Sequence, residues 1–280
     1  MNDPMTEKTV GAFRSCLLRE ERSTGTIQKY ARDVRAFLAF LSGRELSKEA
    51  ALEWKESLIR SGYAVSTINS MLAALNRFLR FCGREEYRVR PLRRQRRIFR
   101  DRERELSKEE YFRLLRAAER EGKRRLYFIL QTIGATGIRI SELKYITAEA
   151  LKKRRAEVSG KGKRRTVVLT KELCRALKGY CRENGIERGS VFVTRNGRPV
   201  DRSNVWAEMK RLCRSAGVDE MKVFPHNLRH LFARAFYRLN RDIAKLADLL
   251  GHSSIETTRI YIMESGREHE RQMARLGFVV

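Results

Sequence analysis

The chain has 280 residues, with 61 Lys and Arg against 34 Asp and Glu, a formal net charge of +27. That excess points to a polyanionic partner, nucleic acid first, and the length and 42% hydrophobic content suit one large or two ordinary domains with a real core. No apolar run is long enough to span a bilayer, and the opening MNDPMTEKTV lacks a basic stretch followed by an apolar one, which argues against a membrane protein or a secretory signal.

The first part reads as about four helices. One lies around 10–18. A second runs from Thr26, with Ile27, Tyr30, Val34, Phe37, Leu38 and Leu41 at helical spacing before Gly43. A third starts near Ser47 and carries Leu52, Trp54, Leu58 and Ile59. A fourth is expected from Ser66 as N-cap, with Ile68, Leu72, Leu75, Phe78 and Leu79, and ends at Gly83. Residues 84–105 are dominated by arginine, with Pro91 inside. The division expected is a helical domain at 1–90, a basic linker at 91–105 suited to a phosphate backbone, and a second domain at 106–280.

That second domain opens on a capping box, Ser107-Lys-Glu-Glu110, with Leu106 and Tyr111 as a hydrophobic staple. Helices are expected to about Ile133 and over 140–146. Strand signals at 156–159 and 165–169 flank a Gly160-Lys161-Gly162-Lys163 turn. A helix follows from Thr170. Val191-Phe-Val193 and Asn196-Gly197 suggest a short strand or hairpin, and the remainder reads as helical with a break at Gly251. The five cysteines are odd in number and widely spaced, with no CxxC pair, which fits reduced, core-packing thiols in a cytoplasmic protein.

Four segments carry candidate chemistry. In Gly134-Ala-Thr-Gly-Ile-Arg139-Ile-Ser-Glu142-Leu, a glycine turn feeds a helix whose first turn is expected to hold Arg139, a forked donor for phosphate oxygens. The tip Gly160-Lys161-Gly162 places a lysine where backbone can approach DNA closely. In Pro225-His226-Asn-Leu-Arg229-His230, spacings of three and four put two imidazoles and a guanidinium on one helical face. His226 and His230 also have zinc-ligand spacing, but nothing nearby completes a ligand set. In Leu249-Leu-Gly-His252-Ser-Ser-Ile-Glu-Thr-Thr-Arg-Ile-Tyr261, His252 sits in a turn and Tyr261 on the next helix. Each segment alone has a bland reading: a solvated arginine, a basic turn, a core tyrosine.

Together and in this order, TGIRISEL, GKG, HNLRH and LGHSSIETTRIY resemble the tyrosine recombinase family of phage-integrase type. The resemblance spans almost the whole chain, because Ser23-Thr-Gly-Thr-Ile-Gln-Lys-Tyr30 and the 37–41 run are similar to that family's N-terminal domain. It implies a mostly α fold with a small β-hairpin, in two domains: an N-terminal helical, SAM-like core-binding domain and a C-terminal mixed α/β catalytic domain, closing as a clamp on DNA. It implies site-specific cleavage and rejoining of DNA through a 3′-phosphotyrosyl bond and a Holliday junction, without metal, ATP or other cofactor. It makes Tyr261 the nucleophile, Arg139 and Arg229 a phosphate clamp, Lys161 the general acid, His226 a proton-transfer group and His252 a phosphate hydrogen-bonder. Glu142 and His230 fall into supporting roles. The partners implied are double-stranded DNA with a recombination site, a homotetramer on that DNA, a C-terminal tail at 268–280 docking on the neighbouring protomer, and accessory DNA-bending proteins. Two other readings exist: a non-catalytic regulator built on a helix-turn-helix at 244–262, and a type IB topoisomerase-like relaxing enzyme. The first leaves the shared chemistry of Arg139, Lys161, His226 and Arg229 unexplained; the second has different motif spacings.

Overall fold

A computed structural model describes residues 7–93, 105–160, 163–194, 196–252, 254–262 and 273–277. The chain divides into two compact units, 1–96 and 97–280.

The first unit is helical: α1 (Glu7–Arg19), α2 (Thr24–Leu41), α3 (Lys48–Arg60) and α4 (Val65–Phe81). The side chains of Ser23 and Ser47 cap α2 and α3, each accepting from an amide in the first turn. Phe13, Phe37, Trp54, Phe78 and the leucines of α4 fill its core, the helical periodicity delivering one apolar face per helix. Helix α4 starts before Ser66. Its N-cap is Ala64, with no side-chain cap, so Ser66 lies in the first turn. The Ala64 carbonyl already accepts from the Thr67 and Ile68 amides, at 2.8 and 3.0 Å, so the helix is under way before Ser66 and does without a cap worth about 1 kcal/mol.

Beyond α4 the chain is clasped by two asparagines. Asn76 donates to the Val89 carbonyl and accepts from the Val89 amide, both at 2.8 Å. One face-repeat earlier, Asn69 does the same to Leu92, at 2.9 and 2.8 Å. Lys48 and Lys55 hold the carbonyls of Arg88 and Arg90. The segment is thus paired through side chains much as a strand would be through backbone.

The second unit, in its described residues, is helical apart from one hairpin and two isolated bridges. It runs α5 (Lys108–Arg120), α6 (Arg124–Thr136), a 3₁₀ turn at Ile140–Tyr145, α7 (Ala148–Lys153), strands β1 (Arg155–Gly160) and β2 (Lys163–Val168), then α8 (Lys171–Glu183), α9 (Arg202–Ala216), α10 (Pro225–Asn240), α11 (Ile243–Leu250) and α12 (Ile255–Ile262). The Ser107–Glu110 capping box is formed in both directions. The strands are antiparallel, with Arg155 opposite Val168 and Gly160 opposite Lys163. Around Val191–Val193 there are only single bridges, Thr147 to Ser190 and Val193 to Pro199. The Asn196-Gly197 turn closes over too few residues to extend them. One large core surrounds Ile129, Leu130, Leu177 and Phe192. A smaller one joins Ala233, Leu246, Leu250 and Tyr261. The chain is therefore mostly α with a small hairpin. Cys174, Cys181 and Cys213 are buried free thiols, and Cys16 and Cys82 are half-buried.

Candidate active site

Three local devices aim the site. Gly137 ends α6 in the left-handed region at φ +63°, which turns the chain so that Arg139 follows in extended conformation. Arg139 thus precedes the 3₁₀ turn as its N-cap rather than sitting in a first helical turn, because the glycine turn leaves no room to start a helix sooner. Pro225 starts α10, whose next two turns carry His226, Arg229 and His230 on one side. Gly251 ends α11 at φ +64° and releases His252 toward that side.

The side chains of Arg139, Glu142, His226, Arg229, His230, His252 and Tyr261 come together in one cluster of the second unit. Tyr261 is buried, with its hydroxyl 3.0 Å from His226 Nε2. The His230 ring stacks on the phenol at 4.1 Å between centroids, and His226 meets His230 edge-on at 4.8 Å. Arg229 is buried at the centre. It donates from Nη1 to the Gly137 carbonyl and from Nη2 to the Leu250 carbonyl, each at 2.6 Å, and reaches His252 Nε2 at 2.9 Å. Burial, and then the neighbouring Arg139, bring its pKa down to about 10, against a smaller opposing effect of the nearby Tyr261 hydroxyl. It stays a cation at neutral pH. Lys161, which follows β1 in sequence, lies outside the described residues.

Glu142 organises the first arginine. It accepts from the Arg139 amide and from Arg139 Nη1, both at 2.8 Å, and from Arg165 Nη2 at 2.6 Å. Burial works against its charge, but the Arg139 amide and the two guanidinium groups outweigh that and hold its pKa below the usual carboxylate value. The Arg139 side chain stays 40% exposed, so it reaches the surface while anchored from behind.

His252 shows its protonation state by its partners. Nε2 faces an Arg229 donor, so it must accept. Nδ1 therefore carries the proton and donates to Thr258 Oγ1 at 2.8 Å. Burial, then Arg229, Arg139 and Arg165, lower its pKa to about 4. The stability consequence has a definite sign. The unfolded chain takes up a proton near pH 6.5 and the folded protein only near about 4, so stability should fall as pH drops through that window. Melting the free protein against a His252→Asn variant checks this. The wild type should lose more stability across the window than the variant; parallel curves would mean that His252 is not held neutral.

Two members of the cluster have no role assigned by the motifs, although Thr258 lies within LGHSSIETTRIY. Thr258 is fully buried under His252. Arg165 lies on β2 and bonds Glu142 and the Leu249 carbonyl. A signal for the latter existed: Arg165 falls on the same strand face as the buried Val167 and Leu169. Among the described residues no group of His, Cys, Asp or Glu is placed to hold a metal ion. Three histidines, three arginines and a phenol gathered in one cluster make a site suited to an anion, with a phenol hydroxyl beside it.

Comparison with known proteins agrees on the family. The model of the phage integrase family matches residues 104–267, and that of the phage integrase N-terminal SAM-like domain matches 10–86. The chain is 32% identical over 270 residues to tyrosine recombinase XerA of Thermococcus kodakarensis, covering 93% of this chain and 92% of that one. It is 29% identical to tyrosine recombinase XerD of Halalkalibacterium halodurans, covering 85% and 87%. In fold it resembles XerH site-specific recombinase bound to difH substrate, with TM-score 0.70, 20% identity and coverage of 94% and 83%. It also resembles a lambda integrase dimer bound to a COC′ core site, with TM-score 0.74, 15% identity and coverage of 94% and 96%. The chain belongs to the phage integrase family: it is a tyrosine recombinase, an enzyme of site-specific DNA recombination that works through a tyrosine-linked intermediate.

Proposed function

We propose that Tyr261 is the nucleophile and that this cluster cleaves and rejoins double-stranded DNA at a specific recombination site. The observation that carries the reading is a buried phenol whose hydroxyl lies 3.0 Å from His226 Nε2, in the cluster that also holds the buried Arg229 guanidinium. In cleavage, Tyr261 Oη bonds to the scissile phosphorus as the P–O5′ bond breaks, leaving a 3′-phosphotyrosyl link and a 5′-hydroxyl. His226 accepts the phenolic proton, and Lys161 supplies one to the departing 5′-oxygen. Arg139 and Arg229 hold the non-bridging oxygens, where charge grows in the transition state. Arg229 is anchored through two carbonyls, so its contact with His252 is the one a phosphate oxygen replaces. That negative charge favours protonation of His252 at Nε2, which then donates to the phosphate while Nδ1 keeps Thr258. Glu142 holds Arg139, and His230 supports the Tyr261 ring.

The covalent link conserves the energy of the phosphodiester, so rejoining by another strand's 5′-hydroxyl needs no ATP, and the arginines supply the charge a metal would otherwise bring. Two such exchanges proceed through a Holliday junction. We assign 1–90 as core-binding domain, 91–105 as basic linker and 106–280 as catalytic domain. The assembly is a tetramer on DNA, assisted by DNA-bending proteins, in the cytoplasm and on the nucleoid when bound. The relatives solved with DNA and the charge of +27 support a DNA partner, and no described helix is long and apolar enough to cross a membrane. The tail at 268–280 docks on the neighbouring protomer. Met273 and Leu276, 68% and 61% exposed, support this; Phe278 and Val279 lie outside the described residues.

The test uses duplexes drawn from DNA flanking the gene, nicked near the cleavage point so that cutting cannot reverse. Incubated without magnesium and run on a denaturing gel, the wild type should give a protein–DNA adduct and Tyr261→Phe none. An undiminished adduct in the variant would overturn the assignment. Tight binding with no adduct from either protein would favour a non-catalytic regulator.

A further inference from the structure

Arg165 has no place in the mechanism above, yet it occupies a costly position. It lies on the inward face of β2 in line with Val167 and Leu169, where an apolar side chain would suit the core. Its side chain is only 13% exposed. Nη2 donates to Glu142 Oε2 at 2.6 Å and Nη1 to the Leu249 carbonyl at 2.9 Å. Its stem lies against Gly251, where an added Cβ would stand 2.2 Å from Arg165 Cδ. Nε is buried without a hydrogen-bond partner among the described residues. Burial lowers its basicity, as does Arg139, while Glu142 opposes them. A buried guanidinium with one orphaned donor is a poor way to stabilise a strand.

Its neighbours show what it accomplishes. Leu249 and Leu250 present successive carbonyls at the C-terminal end of α11; the first receives Arg165 and the second receives Arg229. At its other side Glu142 receives both Arg165 and Arg139. A continuous chain of hydrogen bonds therefore runs from Arg139 through Glu142 and Arg165 to the end of α11, and on to Arg229 and His252. Arg165 is its middle link, joining segments 23 and 84 residues away in sequence.

We propose that Arg165 is a positioning residue that fixes the spacing between Arg139 and Arg229 by bridging Glu142 to the end of α11. It does not meet DNA. The inference rests on the reading of Arg139 and Arg229 as the phosphate clamp. A clamp of two separately mounted arginines works only if their separation matches the two non-bridging oxygens, and a displacement of about 1 Å costs on the order of a hundredfold in rate. Arg165 needs both hydrogen bonds to hold that distance. Lysine, with one nitrogen, cannot span both acceptors.

The test is single-turnover cleavage by the full chain of a nicked duplex with either a phosphodiester or a methylphosphonate at the scissile position. Replacing one non-bridging oxygen by methyl removes the charge that the clamp neutralises. Arg139→Met and Arg229→Met serve as controls, and their defects should shrink on the methylphosphonate; if they do not, the clamp reading fails, and this proposal with it. With the controls behaving, Arg165→Met should cleave the phosphodiester at least about tenfold more slowly than wild type at unchanged DNA affinity. Its defect should shrink on the methylphosphonate as theirs do. Combined with Glu142→Gln, its effect should be less than multiplicative. Cleavage at the wild-type rate, or an equal defect on both substrates, would overturn the proposal. Should Arg165→Met fail to fold, Arg165→Lys keeps the charge and one bond and is held to the same comparison.

Discussion

Arg229→Lys is expected to lower strand cleavage by about a hundred- to a thousandfold in a protein that still folds. Charge alone does not perform the task at this position. The guanidinium reaches the carbonyls of Gly137 and Leu250 and the ring of His252 in three directions. A lysine nitrogen cannot meet all three from one point, and it lacks the planar fork that holds two carbonyls while still reaching a phosphate oxygen. Protonation compounds the loss. The surroundings bring Arg229 down to about 10. An ammonium begins near about 10.4, so a comparable penalty would leave it partly neutral close to physiological pH. The lysine variant should therefore lose further activity as pH rises through the neutral range, while the wild type does not share that decline. Single-turnover rates on a nicked duplex at several pH values measure both effects. A rate within tenfold of wild type would mean that position 229 needs only a positive charge.

Gly137→Ala is the second large effect, expressed in stability as well as rate. The residue sits at φ +63°, and a Cβ there would lie 2.4 Å from Phe232 Cδ1 and 2.9 Å from Leu250 Cδ2. The left-handed backbone costs about 1 kcal/mol for a side chain, and forcing a methyl group into packed rings about 1–3 kcal/mol more. The sum, about 2–4 kcal/mol, corresponds to a fall in Tm of about 5–15 °C for a unit of this size. The same carbonyl accepts from Arg229, so any relief by backbone movement displaces the clamp. Thermal melting and adduct formation should fall together. A variant that melts like the wild type would show that Phe232 yields without cost.

The helices of both units are legible because their apolar residues recur at the helical period and end at glycines: Ile27, Val34, Phe37 and Leu41 before Gly43, and Leu246 and Leu250 before Gly251. Ser66 misleads because cap preference is only a tendency, and here the helix bonds already begin at the Ala64 carbonyl. In the cluster, His226, Arg229 and His230 are visible because three- and four-residue spacings are local facts about one helix. Arg165 is not, because what makes it more than a basic residue in a basic hairpin lies 23 and 84 residues away. Thr258 is visible as part of LGHSSIETTRIY, but its role is not, because nothing in the sequence says that the imidazole above it needs an acceptor. The asparagines of α4 are similarly silent, since their partners are backbone groups that any sequence would supply.

That asparagine clasp bears on how the molecule is dissected. A fragment of the N-terminal unit ended at residue 90 would retain Val89 on Asn76 but strip Asn69 of both its bonds to Leu92. It would carry a new carboxylate beside Lys55, which now holds the Arg90 carbonyl. Ended after Arg93, the fragment keeps every one of these contacts. Expression, solubility and melting of the two lengths should differ for this reason alone, and a DNA-binding comparison between the halves of the protein is sound only with the longer one.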